Sequence, residues 1–180
     1  MLVDADLFLL LHSFAGRSLF FDTLIIFFAE YLAYILVALF LFLILFSNRS
    51  KRERVYILLV ATISTAIARG LVVELIRFFY HRPRPYLTFH LQPLIAENSY
   101  SFPSAHAAFF FALSTAVYMY NKTWGVVFFA ASTLMCIARV ISGVHYPSDI
   151  TSGMIVGIGV VYLAVQFGGP QLEKLTSKYI

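Results

Sequence analysis

The sequence predicts an all-α integral membrane protein, a bundle of about five transmembrane helices preceded by a short interfacial helix. Composition is the first reason, because 61% of the 180 residues are hydrophobic and only 12% are charged, whereas a soluble domain carries about 25% charged residues. The second reason is that the apolar residues form runs long enough to cross a hydrocarbon core of about 30 Å. We therefore interpret residues 1–180 as a single membrane-embedded domain and exclude a water-soluble globule.

The apolar runs give the order of the elements. The first run, Leu7–Ala15, is too short to span a bilayer and contains His12, so it is predicted to be an amphipathic helix at the interface. Each of the five later runs is near or above the roughly 17–25 residues that a spanning helix requires. Gly168, Gly169 and Pro170 are expected to end the last helix before a short tail. The predicted spans are Phe21–Phe46, Val55–Tyr80, Phe102–Tyr120, Trp124–Ile141 and Ile150–Phe167.

The basic residues predict the orientation. The short loop Asn48–Arg54 contains four Lys and Arg residues against one Glu, and a loop with such an excess stays in the cytoplasm. Alternation of the spans then places the N-terminus, the loop His81–Ser101 and the turn Ser142–Ser148 outside, and the C-terminus inside. Because the net charge of +4 comes mostly from short connections, the bilayer is the expected partner and nucleic acid is not.

Several charged residues lie within or at the ends of the spans, where each costs at least about 2.5–3.5 kcal/mol at the helix centre. Internal ion pairs are one explanation. Glu74 precedes Arg77 by one helical turn, and Glu30 is expected to meet Arg69 or Arg139 across a helix interface.

The outer arginines predict an anionic ligand. Carboxylates are expected to be too few on that side to pair with all of them, and a guanidinium group pairs bidentately with phosphate oxygens. A phosphorylated lipid is therefore the expected partner. The four arginines are Arg77, Arg82, Arg84 and Arg139.

A first cluster of polar residues closes the second span. Arg77 lies at its outer end, and Arg84 follows between Pro83 and Pro85. Proline ends a helix, so the chain is expected to turn and bring Arg84 back toward Arg77. Basic residues at a span boundary are also typical of a lipid-interface anchor, and that alternative stays open for the cluster taken alone.

The second cluster, Pro103-Ser104-Ala105-His106, precedes an apolar run and is typical of a helix start. Ser104 is a capping residue type, and the free N–H groups of a first helical turn favour a phosphate. His106 in that turn is placed to donate a proton to a leaving oxygen. Taken alone, a Ser cap with a first-turn His is more often only a helix cap.

The third cluster forms a tight turn. Gly143 is expected to end the fourth span, and Pro147 to begin the fifth. This geometry brings Arg139, His145 and Asp149 together. A carboxylate four residues after His145 accepts the proton of one ring nitrogen and leaves the other as an oriented nucleophile. A His–Asp pair that only closes a helix N-terminus is the alternative.

A metal site is the chemical rival, because two histidines and an aspartate are also metal ligands. The arginines count against it, since about three fixed positive charges repel a cation and stabilise a phosphoryl group. No metal and no cofactor are therefore expected.

In order along the chain, the three clusters resemble the signature motifs of the type-2 phosphatidic acid phosphatase superfamily of membrane enzymes. The family pattern is usually written Lys-x6-Arg-Pro, Pro-Ser-Gly-His and Ser-Arg-x5-His-x3-Asp. The sequence departs from it at Arg77 for Lys, Ala105 for Gly and Ala138 for Ser. The matching segments are Arg77-x6-Arg84-Pro85, Pro103-Ser104-Ala105-His106 and Arg139-x5-His145-x3-Asp149.

The resemblance implies a metal-independent phosphohydrolase that works through a phosphohistidine. In that mechanism His145 attacks phosphorus, Asp149 orients His145, and His106 protonates the departing oxygen. The residues implied to hold the phosphoryl oxygens are Arg77, Arg84, Ser104 and Arg139.

Within the superfamily, the short chain, the leading helix and the segment around Glu30 look most like the bacterial undecaprenyl-diphosphate phosphatase branch. This implies hydrolysis of undecaprenyl diphosphate at the outer face of the cytoplasmic membrane, recycling of the carrier lipid of peptidoglycan synthesis, and bacitracin resistance. Phosphatidylglycerophosphate and phosphatidic acid are the alternative substrates. A small transporter or scaffold is the alternative of another class. The loop His81–Ser101 is expected to form a lid or to lie on the bilayer.

Overall fold

The computed structural model describes residues 2–168, and every regular element in this range is helical. The predicted fold class is confirmed. Gly169, Pro170 and the tail predicted to follow them lie outside the described residues. The helices are α1 (Leu2–His12), α2 (Leu19–Leu45), α3 (Lys51–Phe79), α4 (Pro85–Thr88), α5 (Ala105–Tyr120), α6 (Lys122–Ile141) and α7 (Pro147–Gly168).

Four helices of the described chain are long and apolar enough to cross a membrane: α2, α3, α6 and α7. The third predicted span, Phe102–Tyr120, corresponds to α5, which begins at Ala105 and has only 16 residues. α5 is the central helix, largely buried against α7, α6 and α3. The surrounding helices direct large apolar side chains outward, with exposures of 85% for Leu19, 76% for Phe79 and 68% for Ile155. An apolar outer surface of this kind fits a lipid solvent.

Caps and turns define the start of α5, the end of α6 and the start of α7. The Oγ of Ser104 accepts a hydrogen bond from the Ala107 N–H at 3.3 Å, so the predicted cap of α5 is confirmed. Gly143, in the turn after α6, has φ +90°, a left-handed conformation that favours glycine. Pro147 is the first residue of α7, as predicted. The end of α6 and the starts of α5 and α7 therefore lie at the same end of the bundle.

α5 and α7 approach closely because two residues of α7 lack a side chain. A Cβ at Gly153 would lie 2.5 Å from the carbonyl oxygen of Ser104, and a Cβ at Gly157 would lie 2.3 Å from that of Ala108. This is the small-xxx-small spacing that brings membrane helices together. The backbones touch at the functional end, where the Ser104 N–H donates to the carbonyl oxygen of Asp149 at 3.0 Å.

Two long helices contain π-helical turns, Phe27–Tyr31 in α2 and Ile67–Val73 in α3. Such turns re-aim side chains and carbonyl groups and are frequent at functional sites. The turn in α2 contains Glu30 and the Ala29 carbonyl, which accepts a hydrogen bond from Nη1 of Arg139 at 3.2 Å. α2 is therefore tied to the end of α6.

The N-terminal helix differs from its predicted bounds. It begins at Leu2 rather than Leu7 and ends at His12 rather than Ala15. It starts early because an acidic residue, here Asp4, is favourable in a first helical turn. Phe8 anchors this helix to the bundle, since its ring is fully buried and lies 5.6 Å from the rings of Phe89 and Tyr146.

The α5–α7 contact gives a stability prediction. Gly157→Ala should lower the melting temperature, because its methyl group meets the Ala108 carbonyl and overpacking costs about 1–3 kcal/mol. The matched control is Gly159→Ala in the same helix, where nothing among the described residues lies within 4 Å of the added Cβ. Thermal unfolding in detergent compares the two variants, and equal melting temperatures would contradict the close packing.

Candidate active site

The predicted site residues come from different helices but meet at one end of the bundle. Arg77 lies in the last turn of α3, His106 in the first turn of α5, Arg139 in the last turn of α6 and Asp149 in the first turn of α7. His145 lies in the turn between α6 and α7. Except for the half-buried His106, these residues are buried. The buried Arg, His and Asp side chains of the described residues therefore lie at one end of the bundle.

His145 and Asp149 form the pair expected from their spacing. Nδ1 of His145 lies 3.4 Å from Oδ2 of Asp149, and the two side chains are only 1% and 0% exposed. The same carboxylate oxygen accepts hydrogen bonds from the Tyr146 N–H at 2.8 Å and from the Ser101 hydroxyl. These donors fix the carboxylate in front of Nδ1, which leaves Nε2 as the ring nitrogen on the other side.

Glu97 connects the arginines of the first and third clusters. One of its oxygens accepts from Nη2 of Arg139, and the other lies 3.3 Å from Nη2 of Arg84. Arg84 also donates to the Ser99 hydroxyl at 3.0 Å, and Nη1 of Arg77 lies 3.4 Å from the same hydroxyl. Arg84 thus folds back toward Arg77, as predicted, and three arginines converge on one stretch of the loop.

The expectation that carboxylates are too few to pair with all four outer arginines was wrong. α1 and the loop His81–Ser101 supply carboxylates that are distant in sequence from the arginines they meet, so composition along one segment did not reveal them. The Glu74–Arg77 contact of 3.2 Å was predicted from helix spacing and is confirmed. The ion pairs at this end are Arg77 with Glu74, Arg84 and Arg139 with Glu97, and Arg82 with Asp4 and Asp149.

A cavity of about 350 Å³ lies beside His106 and Arg139. Nη1 of Arg139 is 3.5 Å from Nε2 of His106, so the second and third clusters meet at this cavity. Phe109 and Phe110 of α5 form part of its wall. The cavity therefore has a polar end at the site and an apolar side among the helices.

Glu30 and Arg69 line the same cavity. Within residues 2–168, however, Glu30 forms no close ion pair with Arg69 or Arg139, although its charge acts on Arg139. Glu30 lies in the π-helical turn of α2, and Arg69 lies in that of α3. Their charges contribute to the lining of the cavity.

Ser104 occupies the predicted position at the start of α5. Its side chain is fully buried, and its oxygen is used to cap the helix. Because a hydroxyl group both accepts and donates, this cap leaves the proton of Ser104 as a donor. Its backbone contact with Asp149 keeps the second and third clusters in register.

The charges at the site follow from burial and pairing. Burial lowers the pKa of His145 to about 4, so the ring is neutral at neutral pH. Burial alone would raise the pKa of Glu97, but Arg139 and Arg84 outweigh it and hold that pKa below its usual value. Burial lowers the pKa of Arg84 to about 10, which still keeps the guanidinium group charged. The site therefore combines a neutral His145 with three arginines, Arg77, Arg84 and Arg139, which we call the clamp. Two of them, Arg84 and Arg139, hold the carboxylate of Glu97.

Two buried donors of the clamp are unused. Within residues 2–168, Nε of Arg77 and Nε of Arg139 have no hydrogen-bond partner. A buried donor left unpaired costs about 1–3 kcal/mol, and an anionic ligand with several acceptor oxygens would satisfy it. In the same part of the chain, no three His, Cys, Asp or Glu side chains form a group suited to a metal ion.

Sequence reasoning missed the residues that complete the site from the loop and from α1. Glu97 had a signal, because it is the only Asp or Glu in the loop His81–Ser101, which also contains Arg82 and Arg84. Asp4 had a weaker one, as an acidic residue in the first turn of a helix. The serine contacts of the loop follow no sequence spacing.

Comparison with known sequences decides the family. Residues 54–172 match the PAP2 superfamily, and the match covers more than half of the chain. The chain belongs to the PAP2 superfamily. The resemblance expected from the three motifs is confirmed, and the chain is a lipid phosphatase.

Relatives of this PAP2 phosphatase cover most of its length. It is 32% identical over 171 residues to the undecaprenyl-diphosphatase BcrC of Bacillus subtilis (strain 168), covering 92% of this chain and 84% of that protein. The crystal structure of Aquifex aeolicus LpxE superposes with a TM-score of 0.69 and 26% identity, covering 90% of this chain and 94% of that chain. A transmembrane PAP2 type phosphatidylglycerolphosphate phosphatase from Bacillus subtilis superposes with a TM-score of 0.66 at 18% identity, covering 93% and 85%, and shares the fold.

The structure gives two of the motif departures a physical setting. Arg77 uses both terminal nitrogens, one toward Glu74 and Ser99 and the other toward the Pro103 carbonyl at 3.1 Å, a reach that the single ammonium of Lys does not have. Ala138 lies in an apolar cluster with Ile25, Ile95 and Val144, so its methyl group packs against apolar side chains.

The position of Glu97 gives a prediction about anion affinity. Glu97→Gln should lower the inhibition constant of inorganic phosphate by roughly tenfold, equivalent to about 1.4 kcal/mol, because a neutral amide no longer competes for Arg84 and Arg139. The inhibition constant is measured from the effect of inorganic phosphate on the hydrolysis of p-nitrophenyl phosphate. Glu53→Gln is the control, because Glu53 pairs with Arg49 at the opposite end of the bundle. An unchanged or higher inhibition constant for Glu97→Gln would show that Glu97 supports the clamp and does not compete with phosphate.

Proposed function

We propose that the protein hydrolyses undecaprenyl diphosphate to undecaprenyl phosphate and inorganic phosphate, without a metal, through a phosphohistidine. The observation that carries this proposal is the convergence of Arg84 and Arg139 on one carboxylate near the His145–Asp149 pair. Guanidinium groups that hold two carboxylate oxygens are suited to hold phosphoryl oxygens in their place. The similarity to an undecaprenyl-diphosphatase over most of the chain supports this choice of substrate.

The first step is attack by His145 on the terminal phosphorus. With Nδ1 facing Asp149, Nε2 forms the N–P bond while the P–O bond to undecaprenyl phosphate breaks. His106, which takes up a proton when the negatively charged diphosphate lies beside it, gives that proton to the departing oxygen. Asp149 stabilises the positive charge that develops on the ring of His145.

The second step is hydrolysis of the phosphohistidine. A water molecule attacks phosphorus, the N–P bond breaks, and the electron pair returns to Nε2 of His145. His106, which lost its proton in the first step, takes a proton from the water. Inorganic phosphate is released, and both histidines regain their initial protonation states.

The clamp stabilises charge in both transition states. Phosphoryl transfer spreads negative charge over the equatorial oxygens, and preorganised donors in a buried site stabilise that charge strongly. The unused Nε donors of Arg77 and Arg139 are then satisfied. Glu97 leaves the clamp when the phosphoryl group enters. The four proposed ligands of the phosphoryl oxygens are Arg77, Arg84, Ser104 and Arg139.

We further propose that the site faces the outside of the bacterial cytoplasmic membrane, where the reaction recycles the carrier lipid of peptidoglycan synthesis and confers bacitracin resistance. The basic loop Asn48–Arg54 at the opposite end of the bundle supports this sidedness. An impermeant thiol reagent added to intact cells should label Thr88→Cys and spare Asn48→Cys. The native Cys136 is 1% exposed and gives little background. The reverse labelling pattern would invert the topology.

A substrate panel tests the reaction. Purified protein with EDTA should release phosphate from undecaprenyl diphosphate with a higher kcat/KM than from phosphatidylglycerophosphate or phosphatidic acid, since the proposed site needs no metal and the proposed substrate is a diphosphate. A preference for either phospholipid would replace the proposed substrate by one of these alternatives. Loss of activity in EDTA that is restored by Mg²⁺ or Zn²⁺ would refute the metal-independent mechanism.

Substitution of the two histidines separates their roles. His145→Ala should abolish turnover and any acid-labile phosphoenzyme, because the attacking nitrogen is gone. His106→Ala should slow the lipid substrate by roughly 10²–10⁴-fold and p-nitrophenyl phosphate far less, because p-nitrophenolate leaves without a proton. Asp149→Asn should lie between, since it keeps the nucleophile but loses its orientation.

Quenched-flow trapping of the phosphoenzyme and steady-state rates on both substrates make the comparison. Phosphoenzyme formation by His145→Ala would remove His145 as the nucleophile. Equal losses on the two substrates for His106→Ala would remove the proton-donor role.

A further inference from the structure

The carboxylate of Asp149 is held on both oxygens, and only one of them faces His145. Oδ2 faces the ring and accepts from Tyr146 and Ser101. Oδ1 accepts a hydrogen bond of 2.7 Å from Nη1 of Arg82. The orientation of a carboxylate about its last bond depends on what holds each oxygen, so Arg82 determines which oxygen the ring meets.

Arg82 is in turn held by the first turn of α1. Its Nη2 donates to Asp4 at 2.7 Å, its Nη1 also donates to the Ser148 hydroxyl at 2.7 Å, and its guanidinium group lies 3.8 Å from the centre of the Tyr146 ring. Asp4 further accepts from the Ser148 N–H at 2.9 Å and from its hydroxyl at 2.5 Å. α1 is thus joined to the first turn of α7 by a charged bridge.

In this bridge the guanidinium group of Arg82 lies between two carboxylates, those of Asp4 and Asp149. Asp149 is fully buried, whereas the side chains of Asp4 and Arg82 are 18% and 19% exposed. A buried carboxylate without a cationic partner is strongly destabilised, and one whose partner is itself fixed keeps a single orientation. Burial alone would raise the pKa of Asp4, but the hydrogen bonds from Ser148 and Arg82 have the larger effect. The pKa of Asp4 is therefore below its usual value, and the carboxylate stays ionised at neutral pH.

We propose that Asp4 and Arg82 are positioning residues for phosphoryl transfer, through which α1 fixes the carboxylate of Asp149 against His145. This inference rests on the proposed roles of His145 and Asp149. It extends the site to α1, which lies outside both the three motifs and the segment 54–172 that matches the superfamily. α1 is therefore part of the catalytic unit as well as an interfacial anchor.

Single variants give the first test. Arg82→Gln should lower kcat by about 10–100-fold with less than a twofold change in KM, because a misplaced catalytic group costs up to about 10²-fold in rate. Arg82→Lys keeps the charge and should recover part of the loss. Asp4→Asn should lower kcat by roughly three- to tenfold, since Arg82 then keeps its charge but loses its anchor. Asp6→Asn is the matched control, an exposed aspartate of α1 whose loss should leave kcat unchanged.

A double-mutant cycle separates positioning from folding. If Arg82 acts through Asp149, Arg82→Gln should cost little further activity in an Asp149→Asn background, measured with p-nitrophenyl phosphate. If Arg82→Gln acted only on folding, its fold-loss of activity would be the same in the Asp149→Asn background, and the two losses would multiply. Size-exclusion profiles and melting temperatures in detergent identify variants that fail to fold, and Asp4→Asn, which leaves the core of the bundle intact, replaces Arg82→Gln if that variant aggregates.

Two results overturn the inference: full independence of the two substitutions in the cycle, or a kcat for folded Arg82→Gln and Asp4→Asn equal to that of Asp6→Asn. His145→Ala, assayed in parallel, distinguishes a failure of the proposed mechanism from a failure of the role of α1. An active His145→Ala refutes the proposed mechanism and this inference with it. An inactive His145→Ala together with a fully active Arg82→Gln refutes only the role of α1.

Discussion

Guanidinium groups buried at the end of a membrane bundle must be surrounded by acceptors, and much of this structure follows from that requirement. The side chains of Arg84 and Arg139 are only 2% and 1% exposed, and an unpaired buried cation costs several kcal/mol. Their acceptors come from distant parts of the chain, namely the Ala29 carbonyl in α2, the Val144 carbonyl after α6 and the carboxylate of Glu97. Two side chains therefore draw α2, α6 and the loop His81–Ser101 to one point, which lies beside His106.

Helix packing sets the remaining geometry. The absence of a side chain at Gly153 lets α7 rest on the carbonyl of Ser104, so the first turns of α5 and α7 share a backbone hydrogen bond. The cap at Ser104 and the carboxylate of Asp149 are thereby held at a fixed separation by main-chain atoms. Positions determined by backbone contacts vary less than those determined by flexible side chains. This suits the proposed mechanism, in which the attacking nitrogen must meet the phosphorus atom and the proton donor must meet the leaving oxygen.

Much of this arrangement was readable from the sequence because it depends on local rules. Run length predicted the four long apolar helices, residue type predicted the cap at Ser104, and a spacing of four predicted the contact between His145 and Asp149. The contacts of Glu97 and Asp4 escaped prediction because they join segments that are far apart in the chain, and no periodicity links a loop carboxylate to the arginine it meets. The expected ion pair of Glu30 also joins helices that are far apart in the chain, and sequence spacing does not determine the distance between two such side chains.

The cavity beside His106 is lined partly by side chains that are exposed on the outer surface of the bundle. Tyr34 and Val37 of α2 form part of its wall, and these residues are 74% and 37% exposed on the outer surface of the bundle. A lipid whose tail remains in the leaflet can bring its headgroup to the histidine by lateral movement, without entering water. Encounters then take place in two dimensions, so the reaction rate follows the mole fraction of substrate in the membrane and not its amount per volume of cell. Dilution of the leaflet with inert phospholipid would slow the enzyme even if the number of substrate molecules stayed constant.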